Sequence, residues 1–235
     1  MAEAAAVAPL VIGVKRSTFR MHDPDADVKN ADYVNARSEA LQRDRWTCRW
    51  CQFASSPGEK CRPGTLEESG FLEMHHLDDD HGNNDLSNLA TACPFCHEVH
   101  HAGNAGHLER AVLIWLPEMS HEALHRLCHA SFAAIKLNNA HAQDAKSLYM
   151  QLAAREARVP EALRNLKTLG TALSRLPKDD YAHRAQALSG LRLLPRMDVF
   201  VRYIDWWAQR AWAPITDWRA MLDSMKLDFL KESSA

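Results

Sequence analysis

The sequence predicts an α+β protein, with a metal-stapled N-terminal part built on a short β-hairpin and a mostly helical C-terminal half. Three observations predict it. Two C-x-x-C pairs, Cys48/Cys51 in DRWTCRWCQF and Cys93/Cys96 in TACPFCHE, bracket a long segment with strand-like and loop-like tracts of its own. The tract EMHHLDDDHGNNDLSNLATACPFCHEVHH crowds six histidines around the second pair. From Ser120 onward, apolar residues recur at helical spacing and the chain reads as helical. These place a zinc-binding domain with an N-terminal strand and helix over 1–117 and a helical domain over 118–235.

Composition narrows the function classes. A chain of 235 residues, 46% of them apolar, is long enough to bury a sizeable core. The formal net charge of −2 is not that of a protein whose main work is gripping a duplex, because phosphate neutralisation favours a basic surface. No stretch approaches the roughly 18 uninterrupted apolar residues of a membrane-spanning helix, so no direct membrane insertion is expected. The opening MAEAAAVAPLVIGVKR has Glu3 where a signal peptide carries positive charge, and its apolar run is short; it reads as a β-strand around Leu10 to Val14. A cytoplasmic setting follows, in which paired cysteines bind metal more often than they form disulfides.

The elements then fall in order. ADYVNARSEALQRDRW reads as a helix feeding the first cysteine pair. A C-x-x-C puts two thiolates on one tight turn, and two such turns complete a tetrahedral site, so Cys48, Cys51, Cys93 and Cys96 are expected to hold one structural Zn2+. A thioredoxin-like redox pair lacks its strand and helix context here. Cys61, in the loop-like SSPGEKCRPG, is read as a free thiol because four thiolates already close a tetrahedron. Cys128 shares a helix face with Leu124 and Phe132 and is read as core.

The histidines sort by period. His75 and His76 are adjacent on the strand FLEMHHL and point to opposite sides, while His97 and His101 share one face of a helix. Asn88 lies in the connecting loop, His100 points away from His101, and His81 sits in an acidic turn where solvation is expected. His121, His125 and His129 recur every four residues and are expected to form a polar face or partner contact rather than a metal site. Ahead of them, AVLIW reads as a short strand ended by Pro117 and Ser120 as a helix N-cap, and further on Pro160 and Pro214 read as first-turn prolines. Trp206, Trp207 and Trp212 lie on an apolar tract that could meet a partner, although tryptophans in helices are more often core.

A strand bearing two histidines, a loop bearing asparagine and a helix bearing H-x-x-x-H, flanked by two cysteine pairs, resembles the HNH (ββα-metal) nuclease motif on a treble-clef zinc scaffold. The resemblance implies that His75, His97 and His101 hold a second divalent cation (Mg, Mn, Ni or Zn). It also implies that His76 is the general base and that Asn88 orients the loop and the base. Imidazole suits the base, having a pKa near neutrality.

A longer resemblance covers about Arg43 to Ala208. RDRWTCRWCQF, SNLATACPFC, VLIWLPEMS, LHRLCHASFAAI and LRLLPRMDVFVRYIDWWA are similar to the IcmJ family, also called DotN, of type IVB secretion systems. It implies a cytoplasmic zinc protein, peripheral to the inner membrane through its partners. These partners would be the type IV coupling-protein ATPase and other coupling-complex subunits. The family resemblance also implies an eroded HNH set, whereas here all five positions are filled. The leading expectation is an adaptor of a secretion or conjugation coupling complex; the alternative is a metal-dependent HNH endonuclease using His76, with DNA as partner. A third reading, a DNA-binding zinc protein, rests on the dispersed Arg43, Arg45, Arg49, Lys60 and Arg62.

Overall fold

The structure is a computed structural model that describes residues 6–15, 31–58, 62, 64–80 and 82–212. Cys61, His81, Lys60, Pro214 and the side chain of Trp212 lie outside the described residues.

Helix α1 (Ala31–Arg43) leads into the first cysteine turn. The turn is a knuckle: the Cys48 N–H donates to the Phe53 carbonyl, Thr47 bridges Ala54, and Gln52 takes a positive φ of 59° to reverse the chain. Strands β1 (Glu73–His76) and β2 (Leu89–Ala92) then pair antiparallel, with His75 opposite Ala90 and His76 opposite Leu89. Helix α2 (Pro94–His100) starts immediately after β2. Cys93 is its N-cap, accepting from the Cys96 N–H, and Pro94 sits at the first helical position, where its missing N–H costs nothing. A capping thiol thereby faces the first turn of its own helix, which places Cys93 and Cys96 together.

Asp44 fastens the knuckle to this hairpin. Its carboxylate, 1% exposed, accepts from Arg43 (2.8 and 2.9 Å), from Arg49 (3.3 Å) and from the Thr91 N–H (3.1 Å). Arg43 spends its remaining donors on the carbonyls of Leu86 and Leu89. Two of the arginines expected to offer a nucleic-acid patch are therefore committed to internal bonds.

Helix α3 (Ala102–His107) and strand β3 (Ala111–Trp115) complete this part. The helical part follows with α4 (His121–Leu137), α5 (Ala142–Ala154), α6 (Glu161–Arg164), α7 (Leu166–Arg175), α8 (Lys178–Ala182) and α9 (Arg184–Ala187). Ser120 caps α4 as expected, its Oγ accepting from the Ala123 N–H. Pro160 is the N-cap residue of α6. Helices α3 and α7 cross at Gly106, where a Cβ would lie 2.5 Å from the Lys167 backbone nitrogen; only glycine fits.

Four expectations change. The C-terminal part, expected to be helical throughout, contains a strand, β4 (Leu191–Pro195), which pairs antiparallel with β3 from Ala111↔Pro195 to Trp115↔Leu191. LRLLP is short and apolar, so its period does not distinguish strand from buried helix. Leu10 to Val14 is not a strand: among the described residues, none pairs with it in a ladder. Leu10, Ile12 and Val14 are buried, while Gly13 exchanges bonds with Val99 and Ala102 and Tyr181 clamps Val14 through both backbone groups. The His121/His125/His129 stripe is not a polar face; all three rings are buried. Finally, α10 (Val201–Trp207), continued by a π-turn (Ala208–Trp212), buries Trp207 and half-buries Trp206. Trp207, 2% exposed, packs on Phe53, Phe95 and His129 and donates to the Gly70 carbonyl; Trp206 lies on Phe71 and donates to Ser56. Neither forms a free aromatic surface. Cys128 is core, as its helix face predicts.

Candidate metal centres

The knuckle and the β2–α2 junction bring Cys48, Cys51, Cys93 and Cys96 together, all buried, with their sulfurs within 4.8 Å of one another. Cys51 and Cys93 lie 3.6 Å apart. A tetrahedral zinc–thiolate centre needs sulfurs about 3.8 Å apart, given a Zn–S bond of about 2.3 Å, so the four residues fit such an ion. Electrostatics point the same way. Burial and the hydrogen bonds of neighbouring thiols push Cys93 and Cys96 well above the usual thiol range. Burial opposes ionisation at Cys48 too, but hydrogen bonds from Cys51, Cys93 and Cys96 outweigh it and hold that thiol well below the range. Burial disfavours a thiolate at each position, so four of them in a dry pocket need a cation among them. The cluster could hold a metal ion.

A second group forms where β1 meets α2 and its C-terminal end. One ring nitrogen from each of His75, His97 and His101 lies within 4.8 Å of the others; His75 is buried and the other two are half-buried. Burial, followed by the nearby His100, His97 and His101 imidazoles, keeps His75 neutral at any ordinary pH, the state in which imidazole ligates metal. His97 Nδ1 lies 2.5 Å from Glu73 Oε2. Burial disfavours a charge on His97, yet the Glu73 carboxylate more than offsets it and raises the pKa. That bond occupies Nδ1 and leaves Nε2 for a ligand, the arrangement in which a carboxylate orients a metal-binding histidine. Glu73 was not singled out from the sequence, although its position two residues before His75 on a strand puts it on the same face.

His76 points to the opposite side of β1, as alternation requires. Its Nε2 pairs with Asn84 Oδ1 at 3.2 Å, and Tyr33 from α1 stacks over the ring with centroids 6.0 Å apart. The residue is 5% exposed. Asn88 lies at the end of the loop that joins β1 to β2. It clamps the loop between the strands, donating to Asp78 Oδ1 (2.8 Å) and to the Asn83 carbonyl (2.9 Å) and accepting from the Asp78 N–H (3.1 Å). The loop it fixes is acidic and exposed, with Asp78, Asp79, Asp80 and Asp85 beside the His76 side of the hairpin. His100, set aside in the sequence, stacks on His75 with centroids 3.9 Å apart; burial, then His97 and Arg184, lowers its pKa to about 3.

A family model described as HNH endonuclease matches residues 60–103, which carry β1, β2 and α2. The chain is also 31% identical over 192 residues to the type 4 apparatus protein DotN of Legionella pneumophila subsp. pneumophila, strain Philadelphia 1, covering 79% of this chain and 83% of that protein. Such similarity extends well beyond the ββα core into the helical part that holds β4 and α10. With an HNH segment in its N-terminal half and most of both chains aligned, this chain belongs to the DotN family.

Proposed function

We propose that this chain is a zinc-built adaptor subunit of a type IV secretion apparatus, docking on the coupling-protein ATPase and other coupling-complex subunits. Its setting would be the cytoplasmic side of the inner membrane; among the described residues, no helix is long and apolar enough to cross a membrane. One observation carries the choice of adaptor over nuclease. His76, the general base of the nuclease reading, is 5% exposed beneath Tyr33 and Asn84, on a side of the hairpin lined by aspartates. A phosphodiester would have to displace that cover and approach against like charge. Lys15 and Arg184 act on Asp79 and offset part of that charge, while Arg43 and Arg49 are held by Asp44. In this reading Zn2+ at Cys48, Cys51, Cys93 and Cys96 fixes the knuckle against β2 and α2, and residues 1–117 form the metal-bearing body against which 118–235 pack. The test is binding of the purified chain to the purified coupling-protein ATPase of the same apparatus. Saturable binding that survives His76→Ala supports the adaptor; no binding at micromolar concentrations of either protein overturns it.

The endonuclease reading has a specific observation in its favour: the His75/His97/His101 group is complete and Glu73 orients it. A divalent cation held there would polarise a phosphoryl oxygen and stabilise the leaving oxygen. His76 would take the proton of the attacking water, Asn84 would fix its ring, and Asn88 would hold the loop that carries Asn84. Plasmid nicking with Mg, Mn or Ni that disappears in His76→Ala supports this reading. Intact plasmid across all these metals sinks it.

A further inference from the structure

The histidine stripe of α4 is absorbed by neither metal reading, and its three members have different surroundings. His121 Nε2 accepts from the Leu193 N–H at 3.1 Å. His125 has both ring nitrogens engaged: Nε2 lies 3.2 Å from the Leu193 carbonyl oxygen and Nδ1 lies 3.3 Å from Cys96 Sγ. His129 is equally buried, yet neither nitrogen has a hydrogen-bond partner; its ring is sandwiched between Phe53 and Phe95, with centroids 3.9 and 4.4 Å away. Burial on this helix therefore does not require a sulfur contact. At His125 the contact is specific.

We propose that His125 is an outer-sphere positioning residue of the four-cysteine centre, holding the Cys96 sulfur and tying the centre to the free edge of β4. The proposal rests on the reading of that centre as a zinc site. Leu193 stands opposite Leu113 in the β3–β4 ladder, and its N–H and carbonyl face away from β3, where the His121 and His125 rings meet them in place of a third strand. The Leu193 carbonyl accepts from Nε2–H, and a metal-bound Cys96 sulfur, which can also only accept, takes its bond from Nδ1–H, so His125 holds the centre with both ring nitrogens donating. A buried ligand sulfur that keeps such a partner is held in one orientation, and removing partners of this kind costs about 10–100-fold in metal affinity. The same ring makes the N-terminal metal centre and the C-terminal strand mechanically continuous.

Cobalt replacing zinc gives the readout, since sulfur-to-cobalt charge-transfer bands report the ligand sulfurs directly. Full-length wild type, His125→Phe, His125→Gln and His129→Phe are compared. His125→Phe is expected to shift the band and to speed metal loss to a chelator by about 10–100-fold. Gln, whose amide can still reach the sulfur, restores part of both, and His129→Phe leaves both at wild-type values even if its Tm falls. A His125→Phe band and release rate equal to those of His129→Phe overturn the proposal. Should His125→Phe not fold, cadmium-loaded wild type labelled with 15N-histidine decides: the His125 Nδ1 resonance moves on exchange of cadmium for zinc and the His129 resonances do not. Equal insensitivity of both rings overturns the proposal. Wild type that takes up no cobalt, or whose uptake is unchanged by Cys48→Ser, refutes the four-cysteine reading itself. A normal wild-type band with an unmoved His125→Phe refutes only the outer-sphere role.

Discussion

Asp44→Ala tests how the metal knuckle is held to the rest of the fold. The Asp44 carboxylate accepts four hydrogen bonds, two from Arg43, one from Arg49 and one from the Thr91 N–H, and is 1% exposed. Each charged bond is worth about 1.5–3 kcal/mol gross, but desolvating the carboxylate offsets much of that sum. The variant leaves the Thr91 N–H buried without an acceptor, at about 1–3 kcal/mol, and removes the anion beside Arg43; breaking a buried pair costs about 3–5 kcal/mol in all. For a chain of this size, about 2–4 °C of Tm accompanies each kcal/mol, so Tm should fall by about 6–20 °C. A pH series adds a second check. Burial alone would raise the Asp44 pKa, but hydrogen bonds from Arg43 and Thr91 outweigh it and lower it below the ordinary value. A depressed pKa means that the stabilisation is complete above the unfolded value of about 3.9 and is lost as pH falls through the folded value. The gap between wild type and variant, measured by calorimetry, should be full at neutral pH and narrow below about pH 4. A gap under about 2 °C at neutral pH, or one that widens on acidification, would refute the reasoning.

Four further outcomes are expected. Glu73→Gln should weaken divalent-cation binding at the His75/His97/His101 group by about 10–100-fold in calorimetric titration, while zinc content from the cysteine centre stays unchanged. Cys93→Ser should abolish stoichiometric zinc by elemental analysis and lower hydrogen-exchange protection in α2, whose N-cap is Cys93. Ser120→Ala removes the acceptor for the Ala123 N–H and should cost about 1 kcal/mol in urea unfolding, with the slope unchanged. Gly106→Ala drives a methyl group into the Lys167 backbone and should cost about 1–3 kcal/mol in the same assay, separating α3 from α7.

The metal groups were legible because their geometry is written in short spacings. C-x-x-C fixes a turn, HH fixes opposite faces, and H-x-x-x-H fixes one face, whatever the surrounding fold. What the spacing could not provide is the identity of the neighbour across the packing. The period of His121, His125 and His129 shows that they share a face, but that this face meets Cys96 and Leu193 depends on how α4 docks. The same holds for Trp206 and Trp207, read as a candidate surface and found packed on Phe71, Phe53 and Phe95. Glu73 lay within reach of strand alternation, since it shares the His75 face. Arg43 and Arg49 appeared available only because Asp44, their buried partner, looks in the sequence like one more surface charge.

The pairing of β3 with β4 has a consequence for how the chain is made. VLIW leaves the ribosome with the metal knuckles, but its partner LRLLP follows only after α4 through α9 have been synthesised. At about 5–20 residues per second, β3 waits on the order of 4–15 seconds as an apolar strand with an open edge. Metal loading can precede that closure, because every cysteine of the centre lies upstream of β3. Ribbon formation cannot. Folding on the ribosome therefore has two separable stages, an early one in which the four cysteines can come together and a late one that waits for long-range strand capture. Between them the unpaired β3 edge is the part most exposed to aggregation.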